Sequence, residues 1–241
     1  MPLRRCDHRT YHTGRLSDVR YGMHSDEHEI RHVATENSLD ISSFQIMHCP
    51  GDIESAQAAV RLVRDGHADI LMKGKIHTSD ILRAVLNRET GIRGDGILSH
   101  ITILYSPSYR RTLFCTDIAM VMYPDLATKV QLINNAVSFV RSMGVENPRV
   151  APLCAVETLN PAMQATVDAA ALHEMNVRGE IGGCIVSGPI AMDLAISPGA
   201  AAAKEYDGVI CGDADILLFD NIEAGNNTVK ALVHFGDWLF A

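Results

Sequence analysis

From about Ser25 onward, short apolar runs alternate with amphipathic helical patterns, and this alternation is the strongest constraint on the fold. Strands that take turns with helices of ten or more residues imply crossover connections, and hence a mostly parallel α/β sheet. The pattern predicts helices over Ser25–Asp40, with Ser25 as N-cap, over Asp52–Gly66, Thr78–Glu89, Asp125–Gly144 and Pro161–Gly179, and a last one from Ala224. Between them "SFQIMHC", "ADILMKG", "SHITILYSP", "TLFCTDIAM", "RVAPLCAVE", "IGGCIVSGP" and "GVICGDADILLFD" read as strands, with "PSYRR" turning one into the next. "IAMDLAISPGAAAAKEY" reads as helix broken at Pro198 and Gly199. The segment Val145–Pro148 is taken as the boundary between a first α/β lobe, 25–145, and a second, 146–241. Residues 1–24 are basic and without helical or strand periodicity, and are expected to be poorly ordered.

With 241 residues and 47% hydrophobic content, the chain can bury a substantial core. Its 21 Lys and Arg against 29 Asp and Glu leave a formal charge of −8, which argues against a nucleic-acid partner and requires any anion site to be local. Six widely spaced cysteines, none in a CxxC pair, read as reduced thiols of a cytoplasmic protein. No apolar run is long enough to span a bilayer, and the start lacks the apolar core of a signal peptide.

An acidic chain that gathers Lys73, Lys75, His77 and Arg83 around Gly74, at the start of a predicted helix, points to a phosphate-bearing ligand. Helix N-termini offer unpaired N–H groups and a positive dipole end. Gly74 admits a ligand close to the backbone, Thr78 and Ser79 either cap the helix or donate to phosphate, and Arg83 can fork onto phosphate. The alternative is a capped helix with solvated lysines. A second candidate is "ADILLFDNIEAGNNTVKALVHF", where Glu223, Asn226 and Lys230 follow a strand at the edge where open α/β sheets bind ligands; otherwise it is an ordinary βα turn. Asp117, after another strand, can face the same edge; Asp193 either faces it or occupies a helix first turn, and Asp125 after Pro124 fits a helix cap. His24, His28 and His32 fall at i, i+4, i+8 with no fourth ligand in sight, so no metal site is assigned. GxSxG, Walker A and GxGxxG motifs are absent.

Taken together, "LMKGKIHTSDILRAVLN", "LSHITIL", "LFCTDIAMVMYPDLATKVQLINNAV", "NPAMQATVDAAALHEMNVRGEIGGCIVSGPIAMDLA" and "ADILLFDNIEAGN" resemble the phosphate acetyl/butyryltransferase family, and within it the phosphate butyryltransferase branch. The resemblance runs from about Ser25 to Phe235. It implies the reaction acyl-CoA + phosphate ⇌ acyl phosphate + CoA, with butyryl or acetyl as the acyl group. It also implies a two-lobed fold similar to isocitrate and isopropylmalate dehydrogenases, a homodimer or larger assembly, and no cofactor beyond the coenzyme A thioester that serves as substrate. Through it Thr78 and Arg83 are expected to bind phosphate groups and Ile222–Asn226 to form a second cleft loop; with the pattern reading above, Lys73 and Gly74 join the phosphate side, and Asp117, Glu223, Asn226 and Lys230 line the remainder of the substrate site, while no catalytic residue is assigned.

Departures from the family pattern leave alternatives open. Family chains continue past the last helix into a Ser-Arg motif with a nearby acidic residue, which this sequence lacks, and their opening βα unit has no counterpart before Ser25. Ser187 stands where the branch usually has Asp before Gly188, and Asp220-Asn221 replaces the usual Pro-Asp. The chain therefore reads as a family core trimmed at both ends, and a catalytically inactive member that retains CoA or phosphate binding is the alternative. An NAD-dependent decarboxylating dehydrogenase would need a cluster of metal-binding aspartates that the sequence does not present.

Overall fold

A computed structural model describes residues 22–241. The expectation for residues 1–24 therefore lies largely outside the described residues; Gly22–His24, its last part, are not loop but open the first strand. The chain forms two compact units, one ending at Gly94 and the other spanning Asp95–Ala241. The boundary expected near Val145–Pro148 falls inside the second unit.

In the first unit, strand β1 (Gly22–Ser25) pairs in parallel with β2 (Gln45–His48), and helix α1 (Glu27–Glu36) connects them. Asp26, rather than Ser25, caps α1, its carboxylate accepting the N–H groups of His28 and Glu29 at 2.8 and 3.2 Å. His24 thus sits on a strand and shares no helix face with His28 and His32. Helices α2 (Asp52–Arg64) and α3 (Thr78–Val85) complete the unit. Its core is small, built on Ala34, Cys49, Ala56, Val60 and Ile81. The run "ADILMKG", expected as a buried strand, is irregular, and Ile70 and Met72 are 81% and 84% exposed. A strand needs a ladder partner, and among the described residues of this unit the only ladder is β1–β2.

The second unit holds a six-stranded sheet in the order β6-β5-β7-β4-β3-β8. Strands β4 (Thr112–Thr116), β5 (Arg149–Pro152), β6 (Ile185–Val186) and β7 (Ile216–Leu218) are parallel. β3 (Thr102–Tyr105) runs antiparallel to β4 through the expected "PSYRR" turn, and also to β8 (Leu239–Phe240). The sheet is therefore mixed, with a parallel centre. β8 has no counterpart in the sequence reading, because two residues carry no alternation to recognise.

Alternation along the central strands fills two cores. Leu113, Cys115, Ala151 and Leu217 point to one face and pack with helices α6 (Met192–Ile196), α7 (Pro198–Ala203) and α8 (Ile222–Phe235). Phe114, Val150, Ile216 and Leu218 point to the other face and meet α4 (Leu126–Ser142) and α5 (Gln164–Val177). Gly144 and Gly179 follow α4 and α5 with φ of 95° and 79°, a left-handed conformation that costs glycine little and stops each helix where the sequence predicts. The break between α6 and α7 falls at Ser197, with Pro198 as the first residue of α7, a position that tolerates its missing N–H.

β7 is the central strand of this core, and Leu217 within it is fully buried. Leu217→Ala is expected to cost about 2–5 kcal/mol, the range for a core leucine. The reading is a lower urea midpoint at unchanged m-value; an unshifted midpoint would contradict the packing described.

Candidate functional site

In the second unit, β4 and β5 lead into α4 and α5 on one face of the sheet, whereas β7, which lies between them, leads into α8 on the opposite face. Loops that part in this way open a crevice at the carboxyl ends of the strands, where ligands of open α/β sheets bind. The opposite edge is closed by ion pairs: Arg111 meets Asp215 at 3.2 Å, Arg149 meets Asp213 at 3.0 Å, and the Arg149 N–H donates to Asp215 at 2.9 Å.

The β4–α4 and β7–α8 loops border the carboxyl edge and are laced to each other. Phe219 N–H donates to Thr116 O at 2.9 Å, and Ile222 N–H to Met122 O at 3.0 Å. Asp117, expected to face a ligand, is buried and holds its own loop instead. Its carboxylate accepts N–H groups from His100 at 2.7 Å and from Ala119 and Met120 at 2.8 Å each. The Asn226 side-chain amide donates to Ile118 O at 3.1 Å, so it too fixes this loop. Gly225 permits the approach of α8: a Cβ there would lie 2.6 Å from the Ile118 side chain. Asp125 caps α4 as expected, accepting Thr128 N–H at 2.8 Å. Asp193 pairs with Lys204 at 3.0 Å in the first turn of α6.

Glu223 and Lys230 remain exposed on α8. Glu223 accepts a short hydrogen bond from the Tyr123 hydroxyl, which holds the tyrosine above its ordinary pKa because ionisation would set two negative charges side by side. Lys230 has no ion-pair partner among the described residues.

Sequence reasoning missed the buried cation of the crevice. Lys129 is the only buried Lys or Arg among the described residues, and its ammonium donates to Asp168 at 2.7 Å and to Asp220 at 2.5 Å. Burial works to lower its pKa, but the hydrogen bonds to the two carboxylates outweigh burial and leave it raised. The signal was present: Lys129 shares the core-facing stripe of α4 with Leu132, Ile133 and Ala136, a position where a lysine needs a buried partner. Beside the three charges lies a pocket of about 10 Å³ lined in part by Pro152, Leu153 and Leu172, room for about one water.

In the first unit, Lys73, Gly74, Thr78 and Arg83 are all exposed. His77 is the N-cap of α3 and makes no side-chain cap bond, so the N–H groups of Thr78 and Ser79 keep no acceptor among the described residues. Nothing lies within 4 Å of the place a Gly74 Cβ would take, so the space beside its backbone is open. Lys73 donates to Gly74 O at 3.0 Å, and Arg83 pairs with Asp80 at 3.1 Å on the helix surface. Exposed contacts of this kind contribute little and exchange readily for a stronger anion. The separate hollow of this unit, 120 Å³ between α2 and α3, is lined by Gln57, Val60, Arg61, Ala84 and Thr90 and includes none of these four residues.

A family profile described as Phosphate acetyl/butaryl transferase matches residues 22–239. The phosphate butyryltransferase of Clostridium acetobutylicum is 43% identical over 212 residues, which cover 88% of this chain and 70% of that protein. The probable phosphate butyryltransferase of Bacillus subtilis is 47% identical over 199 residues, 83% of this chain and 67% of that protein. Among solved structures, a branched-chain phosphotransacylase from Enterococcus faecalis superposes with a TM-score of 0.78 at 30% identity, covering 92% of this chain and 87% of that one.

Cys154, just past β5, is half-buried at the carboxyl edge, and its thiol reports how far that edge excludes water. Burial pushes its thiol up to about 11. At pH 8 only roughly one such thiol in a thousand is ionised, and the thiolate is the reactive form. Timed alkylation followed by peptide mapping is expected to show Cys154 labelled far more slowly than a free thiol, accelerating about tenfold per pH unit up to pH 10. Rapid labelling at pH 8 would contradict the burial.

Proposed function

The chain belongs to the phosphate acetyl/butyryltransferase family, and from that premise we propose that it transfers a short acyl group between coenzyme A and inorganic phosphate, with butyryl ahead of acetyl. The observation that carries this reading is the match over residues 22–239 to a family whose reported relatives, at 43% and 47% identity, are named for the butyryl reaction. An oxygen of phosphate attacks the thioester carbonyl, the C–O bond forms, the C–S bond breaks, and the CoA thiolate leaves and takes up a proton. Such a site must hold two anionic partners close together and stabilise the oxyanion between them. The step as written uses no resident metal or cofactor.

Lys73, Thr78 and Arg83, with the open N–H groups of Thr78 and Ser79, bind phosphate groups. Glu223, Asn226 and Lys230 border the coenzyme A side of the carboxyl-edge crevice; Asn226 has spent one amide N–H on Ile118 and retains the other and its oxygen. Asp117 drops out as a ligand and acts by holding the 118–120 backbone. The proposal extends to a homodimer or larger assembly in the cytoplasm. Among the described residues no helix is long and apolar enough to cross a membrane.

Purified chain is expected to release free thiol from butyryl-CoA only when phosphate is present, and more slowly from acetyl-CoA. Phosphate-independent release, or none from a cooperatively folding sample, would defeat the assignment. Arg83→Ala should weaken phosphate or CoA binding by about 10- to 100-fold, the scale of one lost charge-assisted hydrogen bond. Unchanged affinity in a folded variant would remove Arg83 from the site.

A further inference from the structure

Three charged side chains from three elements meet beneath the crevice: Lys129 of α4, Asp168 of α5 and Asp220 of the turn between β7 and α8. One ammonium between two carboxylates leaves the group with a net charge of −1. Asp168 has a second anchor, accepting the Gln164 side-chain amide at 2.8 Å within α5. Asp220 has none: among the described residues its carboxylate is held by Lys129 alone, and its side chain is 33% exposed at the crevice. Its neighbour Asn221 is committed as the N-cap of α8, accepting Ala224 N–H at 3.0 Å. The two backbone bonds of the turn are made at Phe219 and Ile222, on either side of this pair.

A buried ion pair is a weak source of net stability, since apolar side chains of similar volume often serve as well. A bridging ion group can instead fix one geometry, since an ammonium hydrogen-bonded to two carboxylates holds the elements that carry them in register. We infer that Lys129 is a positioning residue: it ties the β7–α8 turn, through Asp220, to the rigid α4–α5 layer, and so sets the Asp220–Glu223 strap on the coenzyme A side of the site. This rests on the acyltransferase reading, and it adds a residue and a role that the motif-bearing loops do not contain. The tie acts on one substrate only. Loosening the strap alters the coenzyme A side, whereas the phosphate-binding group at Lys73–Arg83 belongs to other elements.

Asp220→Ala cuts the tie and leaves the Lys129–Asp168 pair intact, so this variant is expected to fold. In the full chain its KM for butyryl-CoA, and its Kd for CoA by calorimetry, should rise about tenfold or more, as small misplacements of a binding group do. KM for phosphate should stay within about twofold of the parent, the signature of a change confined to one substrate's binding. Asp220→Asn keeps an oxygen for the ammonium and should restore most of the lost CoA affinity, which a role resting on the carboxylate charge would not permit. Lys129→Met should reproduce the Asp220→Ala pattern; if it fails to fold, Asp220→Ala decides. Unchanged CoA constants in folded Asp220→Ala, or equal rises for both substrates, would overturn the positioning role while leaving the acyltransferase reading in place. A parent chain that binds no CoA would overturn both.

Discussion

Everything in the second unit depends on burying a three-residue strand. β7 contributes only Ile216, Leu217 and Leu218, yet it pairs with β4 on one side and β5 on the other. Its residues alternate between the two cores and are 0–2% exposed. A strand so placed must be apolar on both faces, as the central strand of a helix-covered parallel sheet is. Its position between two strands that lead to the opposite face also creates the crevice. One short apolar run therefore determines both where the sheet is filled and where the chain turns off to its opposite faces.

Polar groups at that edge divide into those that shape the loops and those left available. Asp117 and Asn226 lie more than 100 residues apart and serve one task, satisfying the backbone of residues 118–120 from two directions. A buried backbone group without a partner costs about 1–3 kcal/mol, so a loop that leaves the sheet at this depth needs such acceptors and donors. The exposed remainder, Glu223 and Lys230 on α8, is where ligand contacts can form without dismantling the loop.

How far the sequence was legible follows from the same distinction. Helices α2, α4 and α8 were visible because a long amphipathic pattern is decided locally, and Asp125 was visible as a cap because capping needs only three neighbouring residues. "ADILMKG" was misread because its composition suits a strand but pairing is a property of partners that a local run does not contain. Asp117 was singled out correctly as unusual, but sequence shows a carboxylate without showing what it accepts from. Lys129 was passed over because a single lysine in "DLATKVQLINNAV" reads as a helix former, and only its stripe reveals that it must be buried. The family motifs carried the reaction class, which no composition or spacing could have supplied.

Charge is the remaining constraint. The chain carries a formal charge of −8 and is proposed to hold two anionic substrates. Unpaired distant carboxylates matter little, because exposed charges are screened over about 8 Å at physiological ionic strength. Cations near the substrate matter a great deal, and the most deeply buried of them is not available: Lys129 is fully spent on Asp168 and Asp220. On the proposed reading, phosphate recognition falls to exposed groups whose present partners are weak, Lys73 on a carbonyl and Arg83 on Asp80, together with the open N–H groups at the start of α3. Such an arrangement leaves the anion site solvated when empty and avoids a buried, unpaired positive charge. On the roles proposed, the buried lysine serves shape and the exposed cations serve binding.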